Sequence, residues 1–203
     1  MSTRRPGYDA AKRAFDLTLC LLLAPLLVPV LAVLAVAIRL DSPGPAVFTQ
    51  DRTGRDGRRF KLYKFRTMVV DAEARKEELA HLNILAWPDF KIPDDPRITR
   101  VGGFLRKTSL DELPQLWNIF RGQMSFVGPR PTSFGAETYD LWHTARLEVK
   151  PGLTGLWQVQ ARNDVDFDER LRLDIEYIKA RSMGTDLKIL ASTAGSVLRS
   201  EGL

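Results

Sequence analysis

The pattern of apolar and polar positions divides the chain into two unequal parts. From Leu17 to Ile38, 22 consecutive residues carry no charge, and only Thr18 and Cys20 are mildly polar. As a straight helix this run would reach about 33 Å, enough to cross a hydrocarbon core of about 30 Å. Pro25 and Pro29 lie inside it, each removing a backbone donor and clashing with the preceding turn. A kink is expected near the middle, and the pieces on either side of Pro29 would each reach only about 12 to 18 Å, too short to span. Arg4, Arg5, Lys12 and Arg13 precede the run, while Arg39, Arg52, Arg55, Arg58, Arg59 and Lys61 follow it. The positive-inside rule therefore draws both flanks to the cytoplasmic side. A re-entrant helix that enters, breaks at Pro29 with Pro25 as a second weak point, and returns satisfies that rule; a single kinked crossing is the reading that hydropathy leaves open. The run is longer than the apolar stretch of a cleaved signal peptide, which argues against cleavage.

The turn-rich Asp41-Ser-Pro-Gly-Pro45 then separates a membrane part, residues 1–40, from one globular domain, residues 41–203. Ala46 to Gln50 and Arg59 to Phe65, around Gly54 and Asp56-Gly57, predict a β-hairpin with a long loop. Asp71 to Ala86 predicts a charged helix with Leu79, Leu82 and Leu85 on one side, followed by a loop through Pro88, Pro93 and Pro96. Leu171, Ile175 and Ile178, and then Leu187, Leu190, Ala191, Ala194, Val197 and Leu198, recur at helical spacing and predict two closing helices. The second packs into the core or, helped by Lys188 and Arg199, lies on a membrane surface. The whole is α+β, mostly helical with a small hairpin.

Composition narrows the chemistry. Charged residues at 27% and hydrophobic ones at 44% fit a folded domain, and a net charge of +5 suits a phosphate-bearing partner: nucleotide, nucleic acid or anionic membrane. One cysteine excludes an internal disulfide, and with only two histidines a Cys/His zinc cage is not expected; a metal would be a hard cation on carboxylates. The run Asp164, Asp166, Asp168, Glu169 fails as an EF-hand, because Glu169 occupies the glycine position and Ile175 the bidentate glutamate position. It reads as a solvated helix start.

Three segments can carry chemistry. In Ser109-Leu-Asp111-Glu112-Leu-Pro114, Ser109 and Glu112 have capping-box spacing and Pro114 suits a helix start. The same placement keeps both carboxylates ionised, able to ligate a metal or act as nucleophiles, with Arg106 and Lys107 upstream for phosphates. Gly128-Pro129-Arg130-Pro131 is either a rigid turn or a stiff presentation of one guanidinium to a phosphate. The hairpin carries seven basic residues between Arg52 and Arg66, whose default partner beside a membrane segment is anionic headgroups. Lys64-Phe-Arg66-Thr-Met68 at its end can point instead into a phosphate site. Aromatics for base stacking are sparse there, so nucleic acid is not expected as a partner.

Taken in order, Lys12-Arg13-x-Phe15-Asp16, the proline-broken run, Asp41-Ser-Pro-Gly-Pro45, Lys64-Phe-Arg66-Thr-Met68, Asp95-Pro-Arg97, Arg106-x-x-Ser-Leu-Asp111-Glu112-Leu-Pro-Gln115, Met124-Ser-Phe-Val-Gly-Pro-Arg-Pro131 and Lys150-Pro-Gly-Leu-Thr-Gly155 resemble the bacterial sugar transferase family, the monotopic phosphoglycosyl transferases. The resemblance implies transfer of a sugar 1-phosphate from a UDP-sugar to a polyprenol phosphate, usually undecaprenyl phosphate, with release of UMP, at the cytoplasmic face of the bacterial inner membrane. It implies Asp111 as nucleophile, Glu112 as its assistant, Mg²⁺ beside both, and a re-entrant helix broken at Pro29. Lys64, Arg66, Arg106, Arg130 and Arg162 match its basic positions, with Pro129 and Pro131 framing the substrate loop. Gln123 departs from the pattern where an acidic residue is common, Ala161 where glycine is common, and Gly103 where a basic residue is common. The sugar, the glycan pathway and the oligomeric state are not readable, a homodimer at the membrane being compatible. The rival of another class is a noncatalytic, membrane-anchored basic module.

Overall fold

The structure, a computed structural model, describes residues 5–84, 90–161 and 166–198. Its first element, α1, is a 36-residue helix from Pro6 to Asp41, begun by a proline that has no donor to lose in a first turn. It is longer than the apolar run because about three polar turns precede Leu17, and those turns fasten it down. Arg5 donates to the carbonyls of Lys179 and Arg181, and Arg13 to those of Ile119 and Phe120, each guanidinium answering the open end of another helix. Tyr8 and Lys12 both reach Asp186, at 2.8 and 2.6 Å. Buried Asp16 accepts from the Ser125 hydroxyl and the Phe126 amide.

The far end of α1 lies against the same domain. Ile38 packs with Ala46, Phe65 and Leu105, the Asp41 carboxylate accepts the Val101 amide at 3.0 Å, and Arg66 donates to the Ile38, Ser42 and Pro43 carbonyls. Between these anchors only 6% of the most apolar 18-residue window is buried, and Leu21, Leu22, Leu26, Val28, Val33 and Val36 stand more than half exposed. Such a face needs an apolar solvent, which a bilayer supplies. Pro25 and Pro29 fall inside one unbroken helix instead of dividing it into two. Spaced by four, they share one exposed face, while Ala24, Leu27, Leu31 and Ala35 on the opposite side are partly buried toward the domain. A proline ring pushes apart its own side of the helix, so both prolines favour a bend of α1 toward the domain.

The hairpin forms as expected: β1, Val47–Thr53, pairs antiparallel with β2, Arg59–Phe65, from Val47↔Phe65 to Thr53↔Arg59. Asp56, at φ 57°, and Gly57, at φ 73°, make the turn between them. α2, Arg100–Lys107, starts at the Thr99 hydroxyl, which accepts the Gly102 amide. It lies so close to the chain after β2 that a Cβ on Gly102 would meet the Thr67 carbonyl oxygen at 2.1 Å. α3, Gln115–Phe120, is tied to β2 through Asn118, which donates to the Lys61 carbonyl and accepts the Tyr63 amide. Two short parallel strands that the sequence pattern missed, β3, Ser125–Val127, and β4, Gly152–Thr154, complete the centre. α4, Leu156–Gln160, α5, Phe167–Ala180, and α6, Met183–Leu198, close the chain around a core of Leu62, Ile119, Met124, Val127, Tyr177 and Ile189.

Two expectations are corrected. Residues 71–79 form successive turns, with a 3₁₀ turn at Ala80–Leu82, instead of a helix. Leu82 is exposed and Leu79 only partly covered, so no packed face stabilises a regular helix there; Leu85 and Ala86 lie outside the described residues. In α6 the buried line is Asp186, Ile189 and Ser196, while Leu187, Ala191 and Ala194 of the expected core stripe face outward. The polar residues won the inner face because each has a partner there: Asp186 holds Tyr8, Lys12 and Tyr177, and neighbouring Thr193 meets Thr154. Asp166 caps α5 through the Glu169 amide, as the acidic run suggested.

Candidate active site

The carboxylate pair sits between α2 and α3, on a 3₁₀ turn at Leu110–Glu112. Ser109 enters that turn at φ 57°, a left-handed conformation that costs a serine roughly 1 kcal/mol or more. Its hydroxyl makes no cap, so the expected capping box with Glu112 is absent, and the backbone alone joins them, Glu112 N to Ser109 O at 3.2 Å. The reversal turns Glu112 inward and leaves Asp111 on the wall of a cavity of about 560 Å³, large enough for a substrate head group. Pro114 then stands at the N-cap of α3, one turn later than a first-turn placement of the acids would need. The charge that holds them ionised therefore comes from side chains more than from the six-residue α3.

Glu112 is 5% exposed and receives two cations on one oxygen: Lys64 Nζ at 2.9 Å and Arg130 at 2.5 Å. Burial by itself would raise its pKa, but Arg130 and Lys64 override burial and hold it at about 2. Asp111 is in the opposite position. Burial raises its pKa, Lys64 opposes that and adjacent Glu112 adds to it. Among the described residues its carboxylate accepts no hydrogen bond and makes no ion pair. A poorly solvated, unpaired carboxylate beside cations is the better nucleophile of the two.

Arg130 is aimed by its loop. The Pro129 carbonyl accepts the Gly152 amide at 2.9 Å, the Arg130 carbonyl accepts Arg146, and the Pro131 carbonyl accepts Arg52. Gly128 allows this, since a Cβ there would meet the Lys150 carbonyl oxygen at 2.5 Å. Arg106 lines the same cavity and is steadied by the Thr67 hydroxyl at 2.9 Å. Lys64, Arg106, Arg130 and the acidic pair are thus brought together. Arg66 touches the cavity wall, but its guanidinium is committed to the Ile38, Ser42 and Pro43 carbonyls, so it fastens the exit from α1 and is not counted among the phosphate ligands. Arg162 lies outside the described residues. The hairpin's headgroup role is corrected in part: Arg59 donates to the Ser133 and Phe134 carbonyls, and Arg52 turns into the molecule, where it also lines the cavity. Arg52 was readable only as one basic residue among seven.

Among the described residues, no group of three or more His, Cys, Asp or Glu side chains gathers as a protein-only metal cage. With Glu112 occupied by two cations, Asp111 is the one acid of the pair whose oxygens are open to a metal. That suits Mg²⁺ in the manner it prefers, on one carboxylate with substrate phosphates supplying further oxygens. Gln123, at the departure noted above, accepts Asn118 Nδ2 at 2.9 Å and serves the α3 anchor.

The cavity adjoins an apolar groove of about 650 Å³ between α1 and the domain; Val47 and Phe65 line both. A charged chamber beside an apolar groove has the chemistry to receive a phosphate on one side and an apolar chain on the other. The sequence comparisons agree. Residues 7–200 match the family described as bacterial sugar transferase, and the chain belongs to that family. It is 47% identical over 196 residues, 94% of this chain and 41% of the other, to a UDP-galactose-lipid carrier transferase of Erwinia amylovora. It is 46% identical over 196 residues, again 94% and 41%, to an undecaprenyl-phosphate galactose phosphotransferase of Salmonella typhimurium. Against the exopolysaccharide production protein ExoY of Rhizobium meliloti it is 39% identical over 203 residues, 98% of this chain and 90% of that one. The chain thus spans about two fifths of the first two relatives and most of the third.

Proposed function

We propose that the protein is a phosphoglycosyl transferase that moves a sugar 1-phosphate from a UDP-sugar to a polyprenol phosphate, undecaprenyl phosphate in bacteria, and releases UMP. The observation that carries this reading is the unpaired Asp111 carboxylate beside Lys64, Arg106 and Arg130 in a cavity that adjoins an apolar groove. The names of its relatives supply the donor and acceptor classes.

In the first step an Asp111 carboxylate oxygen attacks the β-phosphorus of the donor. The bond from that phosphorus to the bridging oxygen breaks, and UMP leaves with the electron pair. Arg106 and Arg130 hold the phosphate oxygens, while Glu112 keeps Lys64 and Arg130 in place. In the second step a phosphate oxygen of the acceptor attacks the same phosphorus, and the Asp111–phosphorus bond breaks to restore the carboxylate. Asp111 is the residue that would hold Mg²⁺, which would supply positive charge against the charge developing on the leaving phosphate. One small site then never holds both bulky substrates together.

The reaction belongs at a cytoplasmic membrane face, with α1 as a re-entrant anchor. Support comes from the placement of Arg13 and Asp16 before the apolar run, and Ile38 and Asp41 at its end, on one domain. The test is isotope exchange from labelled UMP into UDP-sugars with Mg²⁺ and no acceptor. Exchange with wild type and none with Asp111→Asn is the expected result; exchange that survives Asp111→Asn removes the covalent step.

A further inference from the structure

A second chamber, of about 470 Å³, lies behind the reaction cavity. The two share a wall made by Gln50, Arg52 and Arg130, whereas Asp111 and Glu112 line only the first. The wall is strongly positive. Arg130 shares Glu112 with Lys64, and Arg52 donates only to neutral acceptors, the Gln50 amide oxygen at 2.6 Å and the Pro131 carbonyl at 3.3 Å. Among the described residues Arg52 has no carboxylate partner. Burial and the neighbouring Arg130 push its pKa down to about 10, against the opposing pull of Glu112.

Beyond the wall the lining changes character to flat rings and cations. Phe134 and Phe167 meet edge to face with centroids 5.5 Å apart, and the Arg170 guanidinium lies 5.4 Å from the Trp157 ring centroid and 5.7 Å from that of Phe167. Aromatic faces beside guanidinium groups bind planar bases, each stack being worth about 1–3 kcal/mol.

We infer that this second chamber holds the uridine half of the donor and is the route by which UMP leaves, with Arg52 and Arg130 in the shared wall binding its phosphates. The inference rests on the transfer reaction proposed above and adds the direction in which the donor lies. In-line displacement requires the leaving group to stand opposite the nucleophile. With Asp111 and the shared wall both lining the first cavity, the β-phosphorus sits within reach of Asp111, the α-phosphate meets Arg52 and Arg130, and the nucleoside continues into the aromatic chamber. The sugar stays in the first cavity. The acceptor, arriving from the groove along α1, brings its phosphate to the same wall once UMP has gone, but has no use for the rings. Arg52 therefore serves both half-reactions, and Phe167 and Trp157 only the first.

The test uses the full-length, membrane-inserted protein and Phe167→Leu, Trp157→Leu and the conservative Phe167→Tyr. UMP binding by calorimetry and inhibition of turnover by UMP and by inorganic diphosphate are compared. Phe167→Leu and Trp157→Leu should weaken UMP at least about tenfold, raise KM for the UDP-sugar in step, and leave both diphosphate inhibition and KM for the polyprenol phosphate unchanged. Phe167→Tyr should restore UMP. Half-buried Phe167 keeps the test alive if the Trp157 variant fails to fold. Turnover with UMP binding indifferent to Phe167, or a rise in KM for the acceptor instead, overturns the inference while the reaction stands. UMP binding that depends on Phe167 without turnover of any UDP-sugar does the reverse.

Discussion

Glu112 and Asp111 are adjacent carboxylates given opposite tasks by what surrounds them. Glu112 is the anion that holds Lys64 and Arg130 in place, so Glu112→Gln leaves two cations facing each other and should cost about 3 kcal/mol of stability at neutral pH, measured by denaturant unfolding. Because its folded pKa lies below the ordinary value, that contribution is complete above about pH 5 and lost as the pH falls toward 2. The gap between wild type and Glu112→Gln should close over that window; a gap independent of pH would place the effect elsewhere. Asp111→Asn should leave stability within about 0.5 kcal/mol while abolishing UMP exchange, since its carboxylate has no partner to lose among the described residues.

At the scale of elements, the site depends on two close approaches and one anchor. Gly102→Ala drives a methyl group into the Thr67 carbonyl, displaces α2 and with it Arg106, and should cost about 1–3 kcal/mol and most of the turnover. Unchanged stability would mean that α2 has slack the packing does not show. The prolines of α1 act together, from one exposed face. Replacing both with alanine restores two hydrogen bonds and removes the bend, so Pro25→Ala/Pro29→Ala should loosen the docking of one end of α1. Faster amide exchange at Arg13 to Asp16 or at Asp41 in detergent would report it, and unaltered exchange would count against the bend.

At the scale of the molecule, the two ends of α1 act as clamps on a domain whose apolar middle needs a bilayer. Cysteines placed at residue 9 and in the exposed part of the hairpin, in a Cys20→Ala background, should label from the same membrane face in vesicles; opposite faces would sink the re-entrant reading.

Much of this was legible in the chain itself. A 22-residue uncharged run, the hairpin's alternating residues around Asp56-Gly57, and the Asp111-Glu112 pair among basic motifs are local signals, and local signals survive in a sequence because each depends on neighbours a few positions away. What the sequence could not decide were choices made between distant segments. Arg52, Arg59 and Arg66 look alike as charges on a hairpin, yet packing sends the first to a wall between two cavities, the second to the loop at Ser133, and the third to the end of α1. The serine that looked like a cap became a left-handed turn, because α2 and α3 must both pack against the chain around β2. Spacing along the chain specifies which residue types are available. Only tertiary structure specifies which carbonyl, carboxylate or cavity each long side chain meets, since burying a charge requires a partner wherever the fold places it.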